Sequence, residues 1–415
     1  MKKTILILLT FFLVSEYAIS RPQYSILQTY GTKCTNCHAN ANYGGARNFG
    51  GFLARKDIGL IQPDDIGLQG LYDFLGEGTE LFDGKVNWGL DMRLQNARWA
   101  QTSRKEEVRV DTNVVRPTIE RKTMLMQISP YLQVQAASWL RIEGMYNFAY
   151  DIHDDMRYPG QQAFYAGVTI QPWQDLPSIR VGYLNPPISL DFDDHTMLVR
   201  QVSGLGRSMP LIPADYAELG FEINYDGLSW LNASFGMYES KNMAKIKTEG
   251  VPIVNENTMS SVVNLSVHPQ LPYGLQGFMG LSHFFNSSLK TDDGIYFGNN
   301  YLTISSVYLG IGLADRVALM AEYINSTKQS LQEVNNYSLE LTYQFMEPIY
   351  VFGRYESGKT DIMRSGQIWE AKQYVLGAHI YPLPFIDLIP EYRIYDRADV
   401  PGTSAQWAFQ IHVFY

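Results

Sequence analysis

The chain has two cysteines in 415 residues, Cys34 and Cys37, and His38 follows the second of them directly. A Cys-x-x-Cys-His sequence is the attachment site of c-type haem. Two thiols at this spacing can add to the two vinyl groups of a porphyrin, while the adjacent imidazole reaches the iron. We therefore expect Cys34, Cys37 and His38 to hold one covalent haem c, with His38 as the iron ligand.

Three other types of site use cysteine and histidine residues. A disulfide between Cys34 and Cys37 would close a very small loop, with little entropic benefit. A thioredoxin-type redox pair needs a βαβ context, and no such pattern surrounds the motif. A structural zinc site needs four ligands, but Cys34, Cys37 and His38 are the only Cys and His residues in 21–84. Haem attachment is the interpretation that the residues favour.

The sixth iron ligand is left open by the sequence. Residues 21–84 contain no Met and no second His, so the iron is five-coordinate or water-bound, or takes an unusual ligand, or takes a side chain from the rest of the chain. The unusual ligands are Lys33, Lys56 and Asn40. The side chains from the rest of the chain are Met145, Met320, His268, His379 and His412, with His195 and Met209 in a long connection.

The first twenty residues resemble no part of a folded domain. Two lysines precede an apolar run that ends in Ala18-Ile19-Ser20, which is the pattern of a cleaved secretory signal peptide. We assign residues 1–20 to a signal peptide and expect the rest of the chain to be exported. Export places the haem motif in the compartment where c-type cytochromes mature.

Composition narrows the class of protein further. Charged residues make up 18% of the chain and aromatic residues 13%, and the net charge of −9 argues against nucleic acid as a partner. No segment after the signal peptide has the roughly 18 apolar residues of a transmembrane helix. An exported chain rich in Tyr and Gly without such a helix is typical of an outer-membrane β-barrel.

Hydrophobic alternation supports this class. Val86, Trp88, Leu90 and Met92 alternate with polar or small residues, as in a strand with one apolar and one polar face. The same period predicts sixteen antiparallel strands in residues 85–415, a number that is even as in bacterial barrels. The predicted strands are 85–96, 123–136, 139–150, 163–171, 178–185, 217–225, 229–238, 259–268, 274–284, 302–312, 315–325, 336–345, 349–357, 372–381, 385–395 and 406–415.

Connection lengths predict the orientation of this barrel. Connections after even-numbered strands are short, whereas those after odd-numbered strands are mostly longer. Outer-membrane barrels have short periplasmic turns and long external loops, so the first strand should begin, and the last should end, on the periplasmic side. The longer connections are 97–122, 186–216, 239–258, 285–301 and 358–371. A large secreted β-sandwich or propeller is the alternative fold.

The segment around the haem motif resembles a known family. Residues 24–56, with Gln28-Thr29-Tyr30-Gly31 before the motif and Phe49-Gly50-Gly51-Phe52 after it, are similar to the fused outer-membrane monohaem cytochrome–porins that oxidise iron(II). In that family a Phe-Pro follows the histidine, where this chain has Ala39-Asn40. The resemblance implies a haem module, residues 21–84, joined directly to a barrel.

The barrel also resembles a second family. Residues 179–192 and 208–227 look like the phosphate-selective porins O and P. That resemblance implies sixteen strands with the 186–216 connection folded inward. It does not imply phosphate transport, because the inward positions carry both Arg and Asp or Glu side chains, whereas a phosphate pore needs a ladder of Arg and Lys.

The two resemblances combine into one functional expectation. We expect an outer-membrane protein of a Gram-negative bacterium, in contact with membrane lipid, whose haem module plugs the barrel. Electrons would pass from extracellular Fe(II), or another reductant, through the single haem to a periplasmic cytochrome. The alternative is a diffusion porin of the anion or phosphate type, with the haem module as an accessory tether or sensor.

Overall fold

The structure is a computed structural model. The structure describes residue 38 and the ranges 46–53, 56–79, 81–101, 108–110, 113–115, 121–149, 160, 162–173, 175–190, 197–202, 209–213, 215–248, 251–252, 254–288, 300–313, 316–328, 331–363, 365–397 and 400–415. The predicted signal peptide, Cys34 and Cys37 lie outside the described residues.

Sixteen antiparallel strands form one closed barrel, in which each strand pairs with its neighbours along the chain and the last strand pairs with the first. The expected fold, an antiparallel barrel of sixteen strands, is therefore confirmed. The strands are β1 (Val86–Gln101), β2 (Arg121–Ala137), β3 (Leu140–Tyr146), β4 (Phe164–Ile170), β5 (Ser178–Leu184), β6 (Glu218–Tyr225), β7 (Leu231–Glu239), β8 (Met259–Val267), β9 (Leu275–Ser288), β10 (Asn300–Leu313), β11 (Val317–Lys328), β12 (Gln332–Met346), β13 (Ile349–Ile362), β14 (Gln367–Leu383), β15 (Ile386–Arg397) and β16 (Val400–Phe414).

Several strands run further than predicted. The clearest case is the predicted connection 358–371, most of which is strand: β13 and β14 stay paired up to Ile362 and Gln367. The prediction was wrong there because residues such as Lys359 and Thr360 lie beyond the apolar band of the outer surface. Polar side chains then occupy both faces, and the alternation that marks a strand in the sequence disappears while the backbone pairing continues.

The two faces of the barrel wall differ in chemistry. On β12, Glu340 and Thr342 point inward and are buried, whereas Leu339 and Leu341 point outward and are 45% and 51% exposed. Exposed apolar side chains in a continuous outer band are the surface that such a barrel presents to lipid. No helix in the described ranges is long and apolar enough to span a membrane.

The short connections gather at one end of the barrel, as predicted. That end has only short turns, such as the two residues between β2 and β3 and the two between β14 and β15. We call it the short-turn end; in outer-membrane barrels this end faces the periplasm. The opposite end carries the longer connections, including 185–217 and 240–258. Small elements in these connections are the hairpins Val108–Val110 with Asn113–Val115, Gln201–Val202 with Met209–Pro210 and Lys247–Thr248 with Val251–Pro252, and the 3-10 turns Leu198–Arg200 and Met243–Lys245.

Short helices precede the barrel and cover its short-turn end. They are α1 (Phe49–Leu53), α2 (Gln69–Thr79) and α3 (Leu81–Gly84), with a 3-10 turn at Asp64–Ile66. Phe52 stacks on Phe385 at 5.3 Å between ring centroids, and Tyr72 stacks on the same ring at 6.1 Å. The Tyr72 hydroxyl donates a hydrogen bond to the Pro384 carbonyl at 3.0 Å. Burial raises the pKa of Tyr72, so this donor keeps its proton at physiological pH.

Candidate functional site

His38 is the one residue of the predicted haem motif that the structure describes. Its backbone forms an antiparallel bridge with Arg47, and the Asn48 side-chain amide donates to its carbonyl oxygen at 3.2 Å. The chain that follows the motif thus returns beside the histidine. The contacts of residues 46–48 therefore show where His38 is held.

Ala46 contacts the inner wall of the barrel. Its side chain is fully buried, its backbone N–H donates to the Tyr165 hydroxyl at 2.6 Å, and it packs with Tyr131 and Met145. Tyr131, Met145 and Tyr165 are cross-strand neighbours on β2, β3 and β4. All three lie on the inward face, so the segment after the motif rests on the lumen side of these strands.

Arg47 contacts the barrel wall at β16, the last strand, which pairs with β1 and closes the barrel. Its guanidinium donates to the Phe414 carbonyl at 2.5 Å and lies 4.8 Å from the centroid of the Phe414 ring. Close by, His412 on β16 is hydrogen-bonded to Asp91 on β1 at 2.9 Å. The bridge between His38 and Arg47 is therefore tied to the strands that close the barrel.

The residues predicted as possible sixth ligands of the haem iron have different contacts in the structure. Met145 packs against Ala46, which brings it next to the segment that follows the motif. His412 binds Asp91, His379 binds Asp387 at 2.7 Å, and His268 contacts Ser266 at 3.0 Å. Met320 packs beside Phe278 and Tyr308, and Met209 pairs with Val202. Lys56 is exposed to solvent. The other three candidates, Lys33, Asn40 and His195, lie outside the described residues. Within the described part of the chain, no group of three or more His, Cys, Asp or Glu side chains could hold a metal ion.

The connection 185–217, which we call the inward loop, enters the lumen as the porin resemblance implied. Its Arg200 is 1% exposed and pairs with Glu322 of β11 at 2.7 Å. The Asn336 amide of β12 donates to the carbonyl oxygens of Leu198, Val199 and Gln201 at 3.3, 3.1 and 2.6 Å. The loop leaves β5 and is held by β11 and β12, so it crosses the interior of the barrel.

Apolar side chains inside the barrel extend this contact. Val199, Val202, Leu211 and Ile212 of the inward loop form a core with wall residues. The wall residues in that core include Phe284, Ile304, Ile324 and Val334, each with no solvent exposure. Sequence reasoning missed this core, although a signal was present: apolar residues occupy the inward phase of β9 to β12 near their long-connection ends.

Charges on the inner wall occur as compensated groups. Arg180 of β5 pairs with Glu143 of β3 at 2.7 Å and with Glu222 of β6 at 3.3 Å, and Tyr238 donates to Glu222 at 2.8 Å. Arg354 likewise lies between Glu340 at 3.2 Å and Glu356 at 3.4 Å. These described contacts agree with the mixed signs seen in the sequence and do not form a ladder of cations.

Comparison with solved structures identifies the fold. OprB of Pseudomonas putida is 9% identical, with a TM-score of 0.56, and the match covers 83% of this chain and 97% of that one. The anion-selective porin of Comamonas acidovorans is 11% identical, with a TM-score of 0.50 and coverage of 80% and 99%. A loop L8 deletion mutant of OmpT, an outer-membrane protein of Vibrio cholerae, gives the same four figures. Neither a family defined by sequence nor a curated relative matches the chain.

These likenesses establish a porin-type barrel at the level of fold. Together with the closed sheet and its apolar outer band, they confirm the expected location in the outer membrane of a Gram-negative bacterium. They leave the cytochrome part of the family resemblance as a prediction.

Proposed function

We propose that this protein is a porin-type outer-membrane barrel that carries one haem c on Cys34, Cys37 and His38 and passes electrons across the membrane. Extracellular Fe(II) is the donor, and a soluble periplasmic cytochrome is the acceptor. Iron(III) is nearly insoluble near neutral pH, so oxidation outside the periplasm keeps the product out of the cell. The electron must then cross an apolar layer of about 25–30 Å.

The observation that carries the proposal is the position of the segment after His38. Ala46 is bonded to Tyr165 and Arg47 to Phe414, so this segment lies against the inner wall. A haem attached a few residues earlier would be held within the barrel at its short-turn end. That position shortens the distance that electrons travel to a protein in the periplasm.

The described surroundings suit a haem. The Met145 thioether, the Tyr131 ring and the Phe414 ring provide apolar and polarizable surface near the backbone of Ala46 and Arg47. The two thiols of the motif would attach the porphyrin, and His38, which is half-buried, would bind its iron. When bound, the haem supplies one-electron chemistry of the iron, tuned by burial and by its ligands.

The filled lumen gives further support. The inward loop and its apolar core occupy space that an open pore would leave to water. A protein that moves electrons has no need of an aqueous path, and a packed interior insulates the redox centre from ions and lipid. Ion flow would, in contrast, require a continuous wet channel past the Arg200–Glu322 pair.

A diffusion porin, with the haem as a tether or sensor, is the second candidate. The fold likeness favours it, because one similar structure is described as an anion-selective porin and another as an outer-membrane protein. The comparisons support this general function better than they support electron transfer. The two candidates differ in what they should transport. A diffusion porin should give a measurable ion current, whereas an electron conduit should give a measurable electron flow.

The test uses the full chain in proteoliposomes that contain a trapped haem-protein acceptor. We expect Fe(II) added outside to reduce the acceptor, with low ion leakage, and His38→Ala to stop the reduction. His283→Ala is the matched control, because that exposed histidine contacts Ser305 on the outer face of β9 and β10. Equal reduction rates with and without His38 would remove the iron from the mechanism. High conductance without reduction would favour the porin.

A further inference from the structure

The segment 57–83, which we call the acidic segment, has an unusual charge. It contains no Lys or Arg, and it holds much of the acidic excess of a chain whose net charge is −9. Its acidic residues are Asp57, Asp64, Asp65, Asp73, Glu77, Glu80 and Asp83. Asp57, Asp64, Asp65 and Asp73 are exposed, so this part of the protein presents negative charge to solvent.

The same segment exposes large apolar side chains. Phe74 is 59% exposed and Phe82 73%, and Leu60, Ile66 and Leu71 are between 47% and 50% exposed. This segment is attached to the short-turn end, where the Leu60 N–H donates to the Tyr381 carbonyl at 2.8 Å and the Tyr72 hydroxyl to the Pro384 carbonyl at 3.0 Å. Ile66 and Phe74 directly follow the exposed Asp65 and Asp73 in the chain, and exposed apolar groups beside charged ones are typical of an interaction site.

Packing of α2 fixes this surface in one orientation. Tyr72 and Leu75 face the barrel, where Tyr72 binds Pro384 and Leu75 accepts a hydrogen bond from the Tyr415 hydroxyl. Leu71 and Phe74 of the same helix stay 50% and 59% exposed. Because α2 is anchored through Tyr72 and Leu75, these exposed side chains are held at the short-turn end, which in outer-membrane barrels faces the periplasm.

We infer that the acidic segment is the docking surface for a small soluble protein with a lysine-rich rim and an apolar centre. The identification of that partner as the electron acceptor rests on the proposed function. A membrane is the less suitable occupant, because helices that lie on membranes carry Lys and Arg on their polar face. An acidic segment is repelled by anionic lipid, whereas it attracts a basic protein over about a Debye length, ~10 Å at 0.1 M salt.

The experiment measures binding of a basic soluble cytochrome c to the full chain in nanodiscs made of neutral lipid. We expect binding at low ionic strength that weakens as salt is added. The triple variant Asp64→Asn/Asp65→Asn/Asp73→Asn should weaken binding about tenfold, because charge complementarity contributes to both encounter and affinity. Asp175→Asn, an exposed carboxylate in the turn after β4, is the matched control and should leave the affinity unchanged.

Two further measurements separate the possible outcomes. Acetylation of the cytochrome's lysines removes their charge and should abolish binding, and Phe74→Ser should weaken binding without changing its salt dependence. Equal binding of native and acetylated cytochrome, equal loss in the Asp175 control, or preferential binding to anionic vesicles would overturn the inference. Salt-sensitive binding without electron transfer would support the docking surface and reject the proposed function.

Discussion

Arg200 Nη1 lies 2.7 Å from Glu322 Oε2, and this ion pair joins the inward loop to the wall of β11. Both side chains are almost fully buried. Ser189, earlier in the same loop, also donates from its hydroxyl to Glu322, and the backbone N–H of Leu190 reaches the same carboxylate at 3.2 Å. One glutamate thus holds two separate parts of the loop across the lumen.

Glu322→Gln should release this contact, because it leaves a buried guanidinium without its counter-charge. Breaking one partner of a buried ion pair costs about 3–5 kcal/mol, and the loop can avoid this cost by leaving the wall. We expect the ionic conductance of the variant in planar bilayers to rise clearly above that of the unaltered protein.

Glu239→Gln is the control for this experiment, because Glu239 pairs with the exposed Lys241 at 2.8 Å. An exposed pair contributes about 0–1 kcal/mol, so the conductance should not change. Identical currents in the Glu322 variant and the unaltered protein would show that the Arg200–Glu322 contact does not close the lumen.

The sequence predicts the barrel better than it predicts this contact. Alternation such as Leu339, Glu340, Leu341 and Thr342 follows from lipid on one side and a polar lumen on the other, so each strand carries its own signal. The inward loop has no period, and nothing local to Arg200 indicates a partner on a distant strand. Pairing of this kind is set by closure of the whole sheet.

The candidate site also combines a feature that the sequence predicts with contacts that it does not. The haem motif can be recognised in the sequence because its chemistry needs fixed spacing within a few residues. The contacts of Ala46 were not predictable, since a small residue in an irregular segment gives no sign that its backbone will meet Tyr165. The acidic segment was visible in the composition, but its exposure depends on which side of α2 packs on the barrel.

Removal of both haem thiols tests the cofactor. The double substitution Cys34→Ala/Cys37→Ala should abolish covalent haem, because no thiol remains to add to a vinyl group. The barrel should still form, since its strands begin at Val86, and it should still show heat-modifiable migration in denaturing electrophoresis. Haem staining of the denatured double variant would contradict attachment at these cysteines; each single variant should keep at most one thioether bond.

Tyr165→Phe tests whether the segment after His38 is anchored inside the lumen. The substitution keeps the ring but removes the hydroxyl that accepts the Ala46 N–H. The buried amide then lacks an acceptor, which costs about 1–3 kcal/mol. Protease added at the short-turn end should release the N-terminal segment faster from this variant, as measured by mass spectrometry of the released peptides.

The control for that test is Tyr323→Phe, whose hydroxyl contacts Asn335 on the outer face at 2.6 Å. This variant should release peptides at the rate of the unaltered protein. Rapid and complete release from the unaltered protein would place the segment outside the barrel and favour the porin candidate.

Gly89 tests how the barrel closes. A Cβ at this position would lie 2.2 Å from the Tyr415 carbonyl and 2.3 Å from the Tyr131 hydroxyl. Those two groups are hydrogen-bonded to each other at 3.0 Å, across the site where the last strand meets the first. Gly89→Ala should therefore force the ring or the chain end aside and destabilise the barrel by about 1–3 kcal/mol, which heat-modifiability over a temperature series would measure. Gly353→Ala is the matched control, because a Cβ there meets nothing within 4 Å. It should leave the transition temperature nearly unchanged, and an equal loss in both variants would mean that strand glycines in general, and not the crowded seam, set the effect.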